Sequence, residues 1–440
     1  MLKSFHIETY GCQMNFLDSQ KVAGMLAQRG ILPARSAQDA DVYLVNTCSI
    51  RDKAEQGVYN RLAEIRAELK RRNPDLILGV MGCVAQQEGE ELRRRAPYID
   101  LVLGTHQIHR LPELIAQIEE DRKPQVSVEW LRDPQPVEID TVLRDSAFRA
   151  SITIIEGCNK VCSFCVVPYT RGRERSRPAW LILEEVRKLV EQGYVEFMLL
   201  GQNVDSYADP SRKACRFAHL LRGVGGLAGV RRVRFTTSYP TDFTQEVVDV
   251  LDDTPAVCEW VHLPVQSGSD SILRAMRRRY TISGYMEIIA SLKGARRPLA
   301  LSTDVIVGFP GETDQDFEQS LDLLRTVEYD SIFSFKYSPR PNTSALKLGD
   351  TVPEDVKSER LTRLQSEQRA IQERLNRRWI GRRAEVLVDG PARDGHNYQG
   401  RTGSNKVVNF AGSADLVGRF VQVDITRSGV NSLSGSLAAG

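Results

Sequence analysis

The sequence predicts a mixed α/β chain in three parts: a parallel sheet covered on both faces, a larger partial (βα)6 barrel, and a small antiparallel β-barrel. Three observations carry that expectation. Short apolar strand patterns alternate with amphipathic helix patterns from the N-terminus to about residue 120, which implies parallel strands joined by helical crossovers. A second alternating series begins near residue 148 and runs through six strand patterns. From residue 378 the chain turns to short Val- and Thr-containing runs parted by glycines, the pattern of a small barrel. The length of 440 residues suits about two to four domains.

Composition narrows the class. Hydrophobic residues make up 41% and charged residues 26%, which excludes a wholly disordered chain. The 59 Lys and Arg against 57 Asp and Glu leave +2, so net charge identifies no partner and any nucleic-acid surface has to be local. No run approaches the roughly 18 apolar residues of a membrane span. The opening Met1-Leu2-Lys3-Ser4-Phe5-His6 has neither the apolar stretch nor the cleavage site of a secretory signal. A cytoplasmic protein without membrane attachment is expected. Thiols stay reduced there, so the eight cysteines point to metal binding or catalysis rather than to disulfides.

In chain order, strands are expected near 4–10, 42–46, 76–81 and 100–103. Helices are expected over 15–29 and 51–72, where Leu and Ala recur at i, i+3 and i+4. Residues 121–147 break the pattern with Pro124, Pro134 and Pro136 among polar residues and read as a linker. The second series places strands at 151–155, 196–200, 231–237, 258–264, 299–307 and 331–337. A full eight-stranded barrel takes about 250 residues, so an incomplete barrel or open sheet fits better. One long polar helix pattern over 354–380 follows. Strand patterns at 384–388, 406–410 and 420–425 then build the last module. Residues 378–440 hold eight Arg and Lys against five Asp and Glu, a +3 surface that suits RNA and equally a solvated face.

The sharpest signal is Cys158-Asn159-Lys160-Val161-Cys162-Ser163-Phe164-Cys165, directly after the strand ending at Ile155. Three thiolates on so short a loop can each take one iron of a cubane cluster. The fourth iron is then open, as catalytic metal sites keep a position open. A structural zinc needs four closed ligands, and no other Cys or His lies close in sequence. Cys12, Cys48 and Cys83 form a second set, 36 and 35 residues apart, about one strand–helix repeat. Each sits just past a strand, in Tyr10-Gly11-Cys12, Asn46-Thr47-Cys48 and Met81-Gly82-Cys83. Parallel strands end along one edge, where α/β folds bind ligands, so these cysteines are expected to converge. Gly11 and Gly82 would let the backbone approach a bulky ligand. The competing reading is three buried small hydrophobes. Cys215 and Cys258 read as ordinary thiols, Cys258 within a strand.

Longer words surround these cysteines: Thr9-Tyr10-Gly11-Cys12-Gln13-Met14-Asn15, Asn46-Thr47-Cys48-Ser49 and Gly82-Cys83-Val84-Ala85-Gln86. Val166-Val167-Pro168-Tyr169-Thr170-Arg171-Gly172-Arg173-Glu174 follows the triplet. Further on stand His262-Leu263-Pro264-Val265-Gln266-Ser267-Gly268-Ser269 and Asp304-Val305-Ile306-Val307-Gly308-Phe309-Pro310-Gly311-Glu312-Thr313. In these the chain resembles the radical S-adenosylmethionine (SAM) methylthiotransferases over essentially its whole length. The resemblance implies a flavodoxin-like methylthiotransferase domain (1–120), a linker (121–147), a radical SAM core (148–377) and an RNA-binding TRAM domain (378–440). It implies that Cys158, Cys162 and Cys165 hold a [4Fe-4S] cluster whose open iron chelates SAM. Reductive cleavage there gives a 5′-deoxyadenosyl radical that takes the hydrogen from C2 of an adenine. The resemblance further implies that Cys12, Cys48 and Cys83 hold an auxiliary [4Fe-4S] cluster carrying the sulfur, and that a second SAM supplies the methyl group.

The first motif leans to the tRNA branch, which methylthiolates C2 of N6-(dimethylallyl)adenosine next to the anticodon. Threonylcarbamoyl-adenosine in tRNA and a ribosomal-protein aspartate remain as alternative substrates, and a non-enzymatic, zinc-stabilised RNA-binding protein as an alternative class. A low-potential electron donor such as a flavodoxin or ferredoxin is implied, and a monomer is expected. Phe164 resembles the aromatic beside the SAM adenine. Gln202 and Asn203 stand where related proteins carry Gly-Gly-Glu for the SAM amino group. Ser238 and Gln266 follow strands and are expected to reach SAM or to cap helices. Ile306 and Gly308 flank the adenine or fill a buried strand. Arg171, Arg173, Arg175 and Arg177 are expected to meet tRNA phosphates or to form a solvated basic loop. Val161 stands where this branch is expected to carry an aromatic.

Overall fold

The computed structural model describes residues 2–49, 52–131, 142–212 and 214–438, without the side chains of 52–56. Pro134 and Pro136 of the expected linker, Arg51 at the start of an expected helix and the last two residues of the expected C-terminal domain lie outside the described residues. The chain forms two compact units. One comprises Met1–Ser146, Glu156–Lys160 and Cys165–Arg175; the other comprises Ala147–Ile155, Val161–Phe164 and Ser176–Gly440.

The first unit holds β1 (Ser4–Thr9), β2 (Leu32–Pro33), β3 (Val42–Thr47), β4 (Ile77–Gly82), β5 (Leu101–Leu103) and β6 (Gln125–Ser127). They pair in the order β2-β1-β3-β4-β5-β6, every pair parallel. The first five follow the flavodoxin-like order. β3 and β4 are buried along their whole length, which is why they read as unbroken apolar runs. Alternate residues serve opposite cores. Leu44, Met81 and Leu103 pack with Val22, Leu26 and Ile118 on one face; Tyr43, Val45 and Val80 pack with Val58 and Leu62 on the other. β6 corrects the linker reading. Val126 pairs with Val102, and Pro124 stands just ahead of the strand, where a missing N–H costs no ladder bond.

The second unit contains β7 (Arg149–Thr153), β10 (Glu196–Leu200), β11 (Arg232–Phe235), β12 (Trp260–His262), β13 (Ala300–Val307) and β14 (Ser331–Lys336). The two-residue strands β8 (Ile155–Glu156) and β9 (Arg175–Ser176) stand before and after the cysteine loop in the chain. The sheets β11-β10-β7 and β12-β13-β14 are parallel throughout. A single parallel bridge, Val233 to Val257, continues the first toward β12. Six strands in chain order, covered outside by helices such as Ala179–Glu191, Ile282–Lys293 and Asp314–Val327, make the partial barrel. Cys258 falls just after that bridge rather than in a strand; burial pushes its thiol up to about 11.

Helix Glu354–Arg377 leads to β15 (Arg383–Pro391), β16 (Tyr398–Arg401), β17 (Val407–Phe410), β18 (Phe420–Ser428) and β19 (Leu433–Leu437), a closed barrel. It is not wholly antiparallel, because β17 and β19 pair in parallel to close it. β16 and β19, rich in Gly, Gln and Ser, carry no strand pattern of their own; closure of the ladder sets their conformation. Arginines at the N-terminal ends of the core strands hold this barrel. Arg232 donates to the carbonyl of Arg401 at 2.7 Å and Arg234 to those of Thr402 and Gly403 at 2.6 and 2.9 Å. The opposite, C-terminal ends of the core strands carry the loops with the candidate site residues. Among the described residues no helix is long and apolar enough to cross a membrane.

Candidate functional site

Within the first unit, Cys12 follows β1, Cys48 follows β3 and Cys83 opens the helix after β4. β1 and β3 flank the point where the strand order reverses, the usual ligand crevice of such sheets. The thiols do converge. Cys12 and Cys48 share a hydrogen bond that, with the Arg171 guanidinium, draws the Cys12 thiol down to about 6 against the opposing effect of burial. Cys83, fully enclosed, is pushed up by burial despite a hydrogen bond from Arg171. Gly11 sits at φ 130°, where a Cβ would lie 2.4 Å from the Cys48 Cβ; only glycine lets these two segments meet. The Cys12 thiol donates to Asn15 Oδ1 at 3.3 Å, and Asn15 Nδ2 donates to the Thr47 carbonyl at 2.8 Å.

Soft thiolates on three neighbouring strand ends, beside a buried cation, suit an iron–sulfur cluster. Among the described residues no group of three His, Cys, Asp or Glu closes on a single-ion position; a cubane asks for none, since each thiolate takes a different iron.

The Cx3Cx2C loop follows the short strand β8. The Cys158 amide donates to the Gly172 carbonyl at 3.0 Å. Cys162 accepts a hydrogen bond from Arg278 Nη1 at 3.4 Å. Sequence reasoning missed Arg278. Its guanidinium lies over the rings of Tyr239 and Tyr280, 4.3 and 5.1 Å from their centroids, and donates to the Tyr280 hydroxyl and the Pro264 carbonyl.

The other candidates lie at strand C-termini of the second unit. Phe164 packs edge-on to Phe309 with centroids 6.4 Å apart. Gln202 is half-buried and Asn203 buried just past β10, and Asn203 Nδ2 donates to Asp242 at 2.6 Å. Ser238 follows β11 and donates to Asp205 at 3.1 Å. The Val204 amide donates to the Thr237 carbonyl at 3.0 Å, tying the Asn203 and Ser238 loops together. Gln266 and Ile306 are joined by a backbone bond, Ile306 N to Gln266 O at 2.9 Å. Thr237 and Gln266 both hold positive φ, 72° and 74°, a strained state for non-glycine residues that gathers at functional loops.

Three family models match in succession: uncharacterized protein family UPF0004 over residues 4–104, the radical SAM superfamily over 152–324 and the TRAM domain over 377–438. A protein of Solibacter usitatus named tRNA-2-methylthio-N(6)-dimethylallyladenosine synthase is 50% identical over 441 residues, covering 99% of this chain and 98% of that one. Proteins of the same name from Koribacter versatilis and Haemophilus influenzae are 48% and 46% identical, over 99% of this chain and 98% and 93% of theirs. The chain belongs to the tRNA-2-methylthio-N(6)-dimethylallyladenosine synthase family.

A solved structure of the radical SAM methyltransferase TsrM from Kitasatospora setae superposes with TM-score 0.56 at 16% identity, over 78% of this chain and 74% of that one. It shows the shared fold. In this member of the synthase family the arginine stripe needs correction. Arg171 does not face phosphates: it is buried and ion-paired to Asp18 at 2.6 Å. Its charge, deep among thiols, is better matched by a carboxylate than by solvent. Arg175 pairs with Glu156 at 3.3 Å and Arg177 with Glu185 at 2.9 Å. Arg173 is exposed.

Proposed function

We propose that this chain methylthiolates C2 of N6-(dimethylallyl)adenosine next to the anticodon of tRNA, with two [4Fe-4S] clusters and two SAM per turnover. The observation that carries the reading is the convergence of Cys12, Cys48 and Cys83 on neighbouring strand ends, in a chain that also bears the Cx3Cx2C loop. A second thiol trio has no use in SAM cleavage alone and suits a sulfur source. The substrate is inferred from the name shared by relatives that match this chain end to end.

Cys158, Cys162 and Cys165 would hold the SAM-binding cluster, with Arg278 donating a hydrogen bond to the Cys162 sulfur. Cys12, Cys48 and Cys83 would hold the auxiliary cluster. When bound, SAM and the clusters supply hydrogen-atom abstraction at C2 and the sulfur and methyl group that replace it. Phe164 and Ile306 offer apolar surface to the SAM adenine; Gln202, Asn203, Ser238 and Gln266 offer hydrogen bonds to its polar groups. Residues 1–120 house the auxiliary site, 121–147 add β6 to the same sheet and lead on to 148–377, which bind SAM, and 378–440 bind RNA, with Arg173 contributing a phosphate contact. The protein works as a cytoplasmic monomer and draws electrons from a low-potential flavodoxin or ferredoxin.

Nucleoside mass spectrometry on tRNA from a strain lacking the gene tests the substrate. Loss of 2-methylthio-N6-(dimethylallyl)adenosine with accumulation of N6-(dimethylallyl)adenosine is expected. Persistence of the methylthiolated nucleoside overturns the substrate. Changing Cys12, Cys48 and Cys83 to Ala should lower bound iron from about eight to about four per chain; an unchanged count refutes the auxiliary cluster.

A further inference from the structure

Arg171 has no part in the chemistry described above, yet it is one of the most tightly held cations in the chain. It lies six residues beyond Cys165, on the loop that carries the first cluster's cysteines, and its side chain is 7% exposed. Nη1 donates to Asp18 at 2.6 Å and Nη2 to Asn15 Oδ1 at 3.3 Å, the oxygen that also takes the Cys12 thiol hydrogen. The guanidinium also bonds Cys83 and lies in the field of Cys12. Its backbone is clamped. The Arg171 carbonyl lies 3.1 Å from His106 Nε2, and Thr105 Oγ1 donates to the Thr170 carbonyl. Gly172 passes so close to Trp130 and His106 that a Cβ would fall 2.9 and 3.1 Å from their side chains.

We infer that Arg171 is a positioning residue that sets the charge balance of the auxiliary cluster, with Asp18 as its counterweight. This rests on the reading of Cys12, Cys48 and Cys83 as that cluster's ligands. A cluster bound by three thiolates is anionic, and reduction adds a further negative charge; net charge and hydrogen bonds to sulfur set its potential. Away from water a fixed cation acts with little screening. Arg171 therefore favours the reduced cluster, and Asp18, tied to the same guanidinium, offsets part of that effect. The two side chains have opposite influences through one contact. A role confined to holding the fold together predicts no such opposition.

The test uses the full-length chain with Cys158, Cys162 and Cys165 changed to Ala, so that all iron signals come from the auxiliary site. Midpoint potentials are read by redox titration followed by electron paramagnetic resonance, alongside iron content. Arg171→Met is expected to lower the potential by about tenfold in the reduction equilibrium, about 59 mV for one electron. Arg171→Lys should lower it less, and Asp18→Asn should raise it. Should Arg171→Met take up no iron, the Lys variant and Asp18→Asn carry the comparison. Unchanged potentials, or shifts of one sign in the Arg171 and Asp18 variants, overturn the inference. A parent chain that binds no iron overturns it together with the reading beneath it.

Discussion

At Gly82 the backbone takes φ 94°, and a Cβ would stand 2.4 Å from Asn46 Oδ1 and 2.6 Å from the Thr47 carbonyl. Both obstacles are fixed parts of β3, so Gly82→Ala has to move the strand end that presents Cys48. We predict a cost of about 1–3 kcal/mol, read from the urea midpoint. Iron at the Cys12–Cys48–Cys83 site should fall while iron at the loop cysteines is retained. Arg278→Met should cost about 2–3 kcal/mol, since it removes a half-buried, charge-assisted set of hydrogen bonds and two aromatic stacks. It should also lower iron retained by the loop. The cysteines stand out in the sequence because cluster ligation, the role proposed for them, needs one residue type at fixed spacing and strand ends. Arg171 and Arg278 were not. A run of arginines reads the same whether its side chains face solvent or thiols, and only the packing of Asp18, Tyr239 and Tyr280 around them decides.

The strand β10 opens on Glu196, a carboxylate buried at the sheet's N-terminal edge between Arg149 at 2.6 Å and Arg234 at 3.1 Å. Burial alone would raise its pKa; the guanidiniums of Arg234 and Arg149 outweigh burial and hold it below the ordinary 4.5. Glu196 therefore contributes stability in full above that ordinary value, and the contribution is lost as pH falls through the lowered native value. Glu196→Gln should cost about 3–5 kcal/mol near neutrality, because it strands Arg234 without a counter-ion. Urea midpoints measured from pH 7 downward should show the gap between wild type and variant closing only in acid. A gap that stays constant with pH would contradict this assignment. At this scale legibility followed burial. β3 and β4, apolar throughout, were readable as central strands. β6 was hidden because only Val126 marks it among polar neighbours. β16 and β19 were hidden because pairing partners, rather than their own Gly and Ser residues, fix their conformation.

Across the whole chain, the sequence showed where one texture gave way to another, and so the order of three α/β and β modules. It did not show how the last module is held, since the Arg232 and Arg234 contacts run mostly to backbone carbonyls, which have no sequence signature, beside one ion pair from Arg232 to Glu385 at 3.1 Å. That attachment also changes what the barrel's +3 means. Lys406 is ion-paired to Asp330 at 2.7 Å, Arg401 lies 3.7 Å from Asp389, and Arg383 pairs with Asp424 at 2.8 Å. Arg393, Arg419 and Arg427 are exposed and are the cations best placed to meet phosphates. We predict that changing all three to Ala weakens tRNA binding without altering the thermal midpoint, as exposed charges contribute little to folding. If each neutralises one phosphate, the slope of log affinity against log salt should become shallower by about 2. Titrations at several salt concentrations, with the same tRNA lacking and carrying the dimethylallyl group, separate the two contributions. The slope change should be equal for both RNAs, because phosphate contacts are blind to the base. An unchanged slope would assign RNA binding to a surface other than the barrel; a slope that changed for one RNA alone would mean that these arginines sense the modified nucleoside.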